Sequence, residues 1–115
     1  MITLYGIPHC DTVKKASAWL AEQGKSHEFH DFKKQGVPPA ELARWAEAVG
    51  WDALLNRQGT TWRKLAADEQ AAVTNSASAQ ALMQAQSSVI KRPVVDWGDG
   101  DVTVGFDLEA WRKRV

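Results

Sequence analysis

The amino-acid sequence predicts an α/β protein, with a mixed four-stranded sheet and a helical insertion between the second and third strands. Three observations support this prediction. At the N-terminus an apolar run, a helical segment and a second β-rich run follow one another, which is the order of a βαβ unit with parallel strands. An alanine-rich middle region has the pattern of several short helices. Near the C-terminus two β-rich runs flank Gly98-Asp99-Gly100, which is typical of an antiparallel hairpin.

The N-terminal βαβ unit is marked by its breaks and by its apolar spacing. A short buried strand is predicted over residues 1–5, and Gly6 ends it. The helix that follows is indicated by apolar residues at helical spacing, namely Val13, Ala16 and Leu20. Gly24 is placed to end this helix. A second strand is predicted over residues 26–32 and a polar loop over residues 33–37.

The helical insertion is predicted over about residues 38–87. Pro38 and Pro39 suit the first turn of its first helix, and Gly50 closes that helix. Four further helical pieces are predicted over residues 51–55, from Thr60 or Thr61 to Leu65, from Asp68 to Val73, and from Ser76 or Ser78 to Gln86. We expect the insertion and the sheet to form a single domain over residues 1–115.

The C-terminal part completes the predicted sheet. Two strands, over residues 94–96 and 102–104, form the hairpin. Asp107 is a good N-cap for a last helix, and Phe106 before it can pack on Trp111 as a hydrophobic staple. The resulting order, β, α, β, a helical block, a hairpin and α, is that of the thioredoxin-like group.

Cys10 is the only cysteine, and it lies in the predicted loop between the first strand and the first helix, at or next to the first helical turn. The first turn of a helix has unpaired N–H groups and a partial positive charge, which stabilise the reactive thiolate form. Lys14 and Lys15 add positive charge one turn further on. We interpret Cys10 as a reactive thiol, and the alternative is a buried, inert cysteine. His9 is either a proton donor beside it or an exposed loop histidine.

Composition and charge exclude several classes of function. The chain has 14 basic and 14 acidic residues, so it lacks the basic excess of a nucleic-acid-binding protein. No apolar stretch approaches the ~20 residues of a membrane span. One cysteine cannot form an internal disulfide, which favours the reducing cytoplasm. His27 and His30 would lie on opposite faces of a strand, so no metal site is predicted. We expect a monomer.

Four segments together resemble the ArsC/Spx family, the glutaredoxin-coupled arsenate reductases and their relatives. They are Tyr5-Gly6-Ile7-Pro8-His9-Cys10-Asp11-Thr12-Val13-Lys14-Lys15-Ala16, residues 54–65, residues 82–95 and Val104-Gly105-Phe106. The resemblance covers essentially the whole chain and is greatest to the YffB-type small bacterial reductases. It implies a thioredoxin-like fold.

The resemblance also implies a set of site residues. Cys10 takes the place of the family's nucleophile, and Arg92 that of an anion-binding arginine before a cis-proline, here Pro93. A second anion-binding arginine is expected near Arg57, with Arg63 in reserve. We add His9 and Lys14 to the predicted anion- or glutathione-binding residues.

The activity that the resemblance implies is glutathione-dependent reduction of a mixed disulfide or of an oxyanion such as arsenate, with no bound cofactor. Glutathione is the expected co-substrate and glutaredoxin the expected partner, because Val13 stands where a second cysteine would resolve the disulfide. The third arginine of the arsenate reductases is replaced by the segment Gly105-Phe106-Asp107, so we expect weak arsenate reduction. The alternative is an Spx-like regulator that binds RNA polymerase.

Overall fold

The computed structural model describes residues 1–115, which fall into two compact units. The sheet unit comprises residues 1–32 and 92–115, and the helical unit comprises residues 33–91. The helical unit contains the predicted insertion with somewhat wider bounds. That all 115 residues form one domain stays a prediction. None of the helices combines the length and the apolar character that a membrane span requires.

The elements are the following, in chain order. They are β1 (Ile2–Gly6), α1 (Asp11–Glu22), β2 (His27–Asp31), α2 (Phe32–Gln35), α3 (Pro39–Val49), α4 (Trp51–Leu54), α5 (Thr60–Lys64), α6 (Ala67–Ala71), α7 (Ser76–Ala85), a 3-10 turn (Ser87–Val89), β3 (Val94–Asp96), β4 (Val102–Val104) and α8 (Leu108–Arg114).

The sheet confirms the predicted fold class. Its strand order is β2-β1-β3-β4, with β1 and β2 parallel and the other two pairs antiparallel. Leu4 in β1 lies opposite Phe29 on one side and Val95 on the other. Because paired residues point to the same face of a sheet, these three side chains share one face.

The core of the sheet unit forms between α1 and this sheet face. Its buried members are Leu4, Val13, Ala16, Leu20, Val95, Trp97 and Trp111. The α1 members are those that the helical spacing predicted. Burying each of the larger apolar side chains contributes about 1.5–3 kcal/mol, so this stripe fixes which face of α1 meets the sheet.

The start of α8 also agrees with the sequence. Asp107 is the N-cap, and its Oδ1 accepts a hydrogen bond of 3.3 Å from the backbone N–H of Ala110. The rings of Phe106 and Trp111 pack edge to face with centroids 4.6 Å apart. The predicted cap and staple are therefore both confirmed.

The region after β2 differs from the prediction. The strand ends at Asp31, and Phe32–Gln35 forms the short helix α2 where residues 33–37 were predicted to be a polar loop. Lysine and glutamine are good helix formers, and the buried Phe32 anchors the turn. Gly36, with φ of 75°, stops it.

The starts of the later short helices also differ from the prediction. The N-cap of α7 is Asn75, neither Ser76 nor Ser78, and its Oδ1 accepts a hydrogen bond of 2.9 Å from the Ser78 N–H. The N-cap of α5 is Gly59, not a threonine, and α6 spans Ala67–Ala71, where 68–73 was predicted. At α7 the deciding interaction is the local hydrogen bond of Asn75, which apolar spacing does not reveal.

The helical unit is held together by packing of α3 against α4 and α7, and by one short backbone pairing. Its buried residues are Val37, Leu42, Trp45, Ala46, Leu54, Leu55, Ala79, Met83, Val89 and Ile90. Leu55 and Ile90 form an antiparallel bridge. The Asn56 N–H donates to the Val89 carbonyl at 2.8 Å, and the Lys91 N–H donates to the Leu54 carbonyl at 2.7 Å. We call this pairing of residues 54–56 with 89–91 the clasp.

Candidate active site

Cys10 is the N-cap residue of α1, with φ of −84° and ψ of 121°. Its N–H donates to the Ile7 carbonyl at 3.2 Å, and its carbonyl accepts from the Lys14 N–H at 3.0 Å. The loop from β1 is thereby fixed on the helix start, as the sequence predicted. Cys10 forms no disulfide and is half-buried, packed against the edge of the sheet-unit core. It is therefore more accessible than the fully buried thiol of the inert alternative.

The loop that carries Cys10 depends on close packing at Gly6. A Cβ atom added at Gly6 would lie 2.8 Å from the Val13 Cγ2 atom, closer than real contacts allow. Glycine therefore lets the end of β1 approach the first turn of α1. Cys10 is thereby carried at the N-terminal end of α1, where the backbone N–H groups of the first turn have no partners within the helix.

Arg92 and Pro93 lie at the same end of the sheet as the Cys10 loop. Tyr5 in β1 pairs with Val94 in β3, so the residues before β3 adjoin the end of β1 from which the loop leaves. The Arg92–Pro93 bond is cis, which confirms the prediction. Pro93 is fully buried, and its carbonyl accepts a hydrogen bond of 2.8 Å from Gly105. Anion binding by Arg92 stays a prediction.

His9 and Lys14 flank Cys10 along the chain, and both side chains are exposed. This exposure is compatible with both readings of His9. Contacts of these two side chains with a substrate stay predictions.

A surface groove, which the sequence did not indicate, runs along α1 beside this loop. It has a volume of about 470 Å³ and a mostly apolar lining, formed by Pro8, Val13, Lys14, Ser17, Ala18, Ala21 and Phe29. Phe29 is 39% exposed, which is high for a phenylalanine in a strand. A second face of α1 is marked in the sequence by residues at helical spacing, namely Lys14, Ser17, Ala18 and Ala21. The apolar stripe of Val13, Ala16 and Leu20 is the stronger signal, so the sequence predicts only the buried face.

Arg57 and Arg63 belong to the helical unit. Arg57 follows the clasp, and its Nη1 lies 2.6 Å from the Asp52 Oδ1. Its guanidinium carbon is 5.9 Å from the ring centre of Trp51 and 5.8 Å from that of Trp62. Arg63 is exposed in the last turn of α5. The roles of both arginines as anion ligands stay predictions, and no pattern in the sequence indicates the partners of Arg57.

The two strand histidines have structural partners. His27 Nε2 lies 2.8 Å from the Ser17 hydroxyl, and the ring of His30 packs on those of Tyr5 and Phe32. No three His, Cys, Asp or Glu side chains are grouped so that they could hold a metal ion.

Comparison with known proteins relates the chain to one family. The model of the ArsC family matches residues 5–114. An uncharacterized protein of Haemophilus influenzae is 42% identical over 115 residues, which cover 97% of this chain and 96% of that protein. A solved structure of a protein named YffB is 44% identical and has a TM-score of 0.92, and the match covers 98% of this chain and 97% of that one. The global transcriptional regulator Spx of Streptococcus agalactiae is 27% identical over 97 residues, 83% of this chain and 69% of that protein.

Proposed function

The chain belongs to the ArsC family, and from this premise we propose that it is a glutathione-dependent thiol reductase that acts as a monomer. The observation that carries the proposal is the position of Cys10. The only thiol of the chain is half-buried at the N-terminus of α1, at the sheet end where the cis Arg92–Pro93 bond lies. A helix N-terminus favours the thiolate, which is the nucleophile in disulfide exchange.

In the first step, the Cys10 thiolate attacks the glutathione sulfur of a mixed disulfide. A bond forms between Cys10 and glutathione, the substrate disulfide breaks, and the other thiol leaves as a thiolate that takes a proton from water. In this proposal, the N–H groups of the first turn of α1 and the guanidinium of Arg92 stabilise negative charge during the exchange.

The second step needs a thiol from outside the chain, because Cys10 is the only cysteine. A second glutathione, or the thiol of glutaredoxin, attacks the Cys10–glutathione disulfide and releases the Cys10 thiolate. The products are oxidised glutathione or glutathionylated glutaredoxin, so the attacking thiol is oxidised to a disulfide and the substrate thiol is released in reduced form. A reducing compartment, which we propose is the cytoplasm, maintains this pool of thiols.

Arsenate is a poorer substrate in this proposal. Gly105-Phe106-Asp107 offers no guanidinium where the arsenate reductases have their third arginine. A lost hydrogen bond to a charged group costs about 1.5–3 kcal/mol, which is roughly a ten- to hundredfold loss of rate. A glutathione mixed disulfide needs fewer cationic side chains in the site than arsenate does, since each of its carboxylates carries one charge.

The test is turnover of a glutathione mixed disulfide and of arsenate, each coupled to glutaredoxin and NADPH. We expect faster turnover of the disulfide, and mass spectrometry after exposure to oxidised glutathione should find one glutathione on Cys10. Faster turnover of arsenate would reverse the substrate ranking. Absence of the adduct would count against Cys10 as the nucleophile.

A second candidate function is regulation of transcription, which the likeness to Spx favours. Val13 stands where the Cys-x-x-Cys redox pair would have its second cysteine, so this chain lacks that switch. Capture of the RNA polymerase α subunit by the purified chain, together with absent thiol turnover, would favour this candidate over the reductase.

A further inference from the structure

We propose that the groove along α1 is a second active site, in which Ser17 and His27 hydrolyse carboxylic esters with an apolar acyl group. The Ser17 hydroxyl lies 2.8 Å from His27 Nε2, and Ser17 also lines the groove, so it adjoins both a base and a space for a substrate. A hydroxyl within hydrogen-bond reach of an imidazole is the arrangement of an activated serine nucleophile. This activity goes beyond the proposed reductase and uses no thiol.

The hydrogen bonds of the His27 ring fix which nitrogen can act as the base. Nδ1 lies 3.3 Å from the Lys25 carbonyl oxygen, which can only accept a hydrogen bond. In the neutral ring the proton is therefore on Nδ1, and Nε2 is the acceptor to which the Ser17 hydroxyl donates. A nucleophile, a base and a group that orients the base thus follow one another, as serine catalysis requires.

The backbone holds these three groups in a fixed geometry. Ser17 lies within α1, and the turn after that helix is closed by a hydrogen bond of 2.9 Å from the Lys25 N–H to the Leu20 carbonyl. Gly24, with φ of 71°, allows this turn. His27 is the first residue of β2, which is paired with β1. Such preorganisation favours catalysis, because a serine and a base on mobile segments would rarely meet in the reactive geometry.

The lining of the groove selects the acyl group. Ala18, Ala21 and Phe29 give it a mostly apolar wall beside Ser17, within a volume of about 470 Å³. Phe29 is 39% exposed, so an apolar chain that covers its ring removes apolar surface of both partners from water. A charged acyl chain would lose hydration along this wall without gaining a partner. The site therefore favours uncharged aliphatic or aromatic acyl groups.

Lys14 supplies the positive charge that stabilises an ester carbonyl during attack. It lines the groove and precedes Ser17 by three residues, so the two side chains are neighbours on one face of α1. When Ser17 Oγ attacks the carbonyl carbon, negative charge develops on the carbonyl oxygen, and a nearby ammonium group stabilises that charge. Because Lys14 is exposed, solvent weakens this stabilisation, and we expect slow turnover.

The reaction has two balanced steps. In the first, Ser17 Oγ bonds to the acyl carbon, His27 Nε2 takes the hydroxyl proton and passes it to the leaving oxygen, and the carbon–oxygen bond of the ester breaks. In the second, water attacks the acyl-serine, its proton passes through His27 to Ser17 Oγ, and the carboxylic acid leaves. The sum converts an ester and water into an acid and an alcohol, without oxidation or reduction.

The experiment measures hydrolysis of para-nitrophenyl butyrate and acetate by Cys10→Ala, which has no thiol that could attack an ester itself. In that background Ser17→Ala and His27→Gln should each lower kcat/KM on the order of a hundredfold. Lys14→Gln should lower it by a smaller factor, about tenfold. Butyrate should exceed acetate by about fourfold or more, because burial of a single methylene accounts for that factor.

Labelling with diisopropyl fluorophosphate separates catalysis from a purely structural role of the pair. Peptide mass spectrometry of the parent chain should find the phosphoryl group on Ser17. His27→Gln should lose this label while it keeps a cooperative unfolding transition in urea. Ser26→Ala is the matched control, since it removes an exposed hydroxyl that lies outside the groove, and it should change neither the rate nor the label.

The proposal is overturned if Ser17 is not labelled in the parent chain, or if Ser17→Ala or His27→Gln leaves ester hydrolysis unchanged. It is equally overturned if acetate is the better substrate, or if Ser26→Ala loses as much activity as Ser17→Ala. An unchanged rate in Lys14→Gln would refute the role of Lys14 at the carbonyl oxygen. None of these outcomes bears on disulfide exchange, because the kinetic background lacks the thiol.

Discussion

Arg114 and Arg57 both contact indole rings and aspartate carboxylates, but the net charge around the two guanidinium groups differs. Arg114, at the end of α8, lies 5.0 Å over the ring of Trp97 and forms ion pairs with Asp101 at 3.1 Å and Asp99 at 3.9 Å. It is 27% exposed and joins the last helix to the hairpin turn. Two carboxylates more than neutralise its charge, so this cluster is built to hold the sheet unit together.

Arg57 is the contrasting case. It has two indole neighbours and only one carboxylate, it is 45% exposed, and it lines a surface pocket with a second cation, Lys91. Its cluster therefore retains a positive charge that a ligand can neutralise. The balance of charge around an arginine that packs on indole rings therefore separates a structural cluster from one that can bind a ligand, and the following experiments test that difference.

The largest effect is expected outside both clusters, at Cys10. Cys10→Ser removes the proposed nucleophile and should reduce mixed-disulfide turnover on the order of a thousandfold or more. Arg114→Ala should leave turnover unchanged, because the Arg114 cluster takes no part in the exchange. Turnover coupled to glutaredoxin and NADPH provides the measurement. Turnover that survives in Cys10→Ser would refute the thiol mechanism. Loss of turnover in Arg114→Ala would show that the Arg114 cluster is not purely structural.

The aromatic partners should differ next most strongly. Trp97 is only 8% exposed, packs edge to face on Trp111 at 5.0 Å and donates a hydrogen bond of 2.9 Å to Thr103. Trp97→Ala should lower the free energy of unfolding by about 3–5 kcal/mol. Trp62 is half-buried, and Trp62→Ala should cost about 1 kcal/mol. Urea unfolding measures both values, and equal losses would contradict the contrast between the clusters.

The hairpin turn that carries the two aspartates of the Arg114 cluster should be more sensitive to substitution at Gly98 than at Gly100. Gly98 and Gly100 both have positive φ, at 79° and 97°, but only a Cβ at Gly98 would clash, at 2.8 Å from the Met1 carbonyl oxygen. We expect Gly100→Ala to cost about 1 kcal/mol and Gly98→Ala about 2–3 kcal/mol. Thermal or urea unfolding of the pair isolates the clash, and a larger loss for Gly100→Ala would reject this account of the turn.

The smallest effect is the direct contribution of each arginine to stability. Arg114→Ala should lower the free energy of unfolding by about 1 kcal/mol, and Arg57→Ala by about 0.5 kcal/mol or less, because its single ion pair is more exposed. The difference should shrink at high salt, where exposed ion pairs are screened. A greater loss for Arg57→Ala at low salt would mean that its cluster is the structural one.

The sheet unit could be predicted largely from the sequence, since its signals are local. Apolar spacing gave the buried stripe of α1, the Gly-Asp-Gly turn gave the hairpin, and Asp107 gave the start of α8. The place of Cys10 at a helix start followed from the same signals. The cis bond before Pro93 did not, because only the family resemblance suggested it.

The helical unit and the neighbours of Arg57 depend on contacts that spacing does not encode. The choice of Asn75 as a cap is made by one side-chain hydrogen bond. The clasp joins segments far apart in the chain, and no apolar period marks either of them. Trp51 and Trp62 are about equally far from Arg57 in sequence on either side, and only the folded backbone brings both rings to one guanidinium.

The clasp also affects the dynamics of residues 57–88, because its backbone hydrogen bonds close this segment into a loop. The entropic cost of closing a loop grows only with the logarithm of its length, so insertions or deletions in α5 and α6 should cost little free energy. Insertions or deletions in the clasp would break the hydrogen bonds that close the loop. Neither α5 nor α6 has a buried residue. Their amide hydrogens should exchange with solvent by local fraying, whereas those of Asn56 and Lys91 exchange only when the whole loop opens.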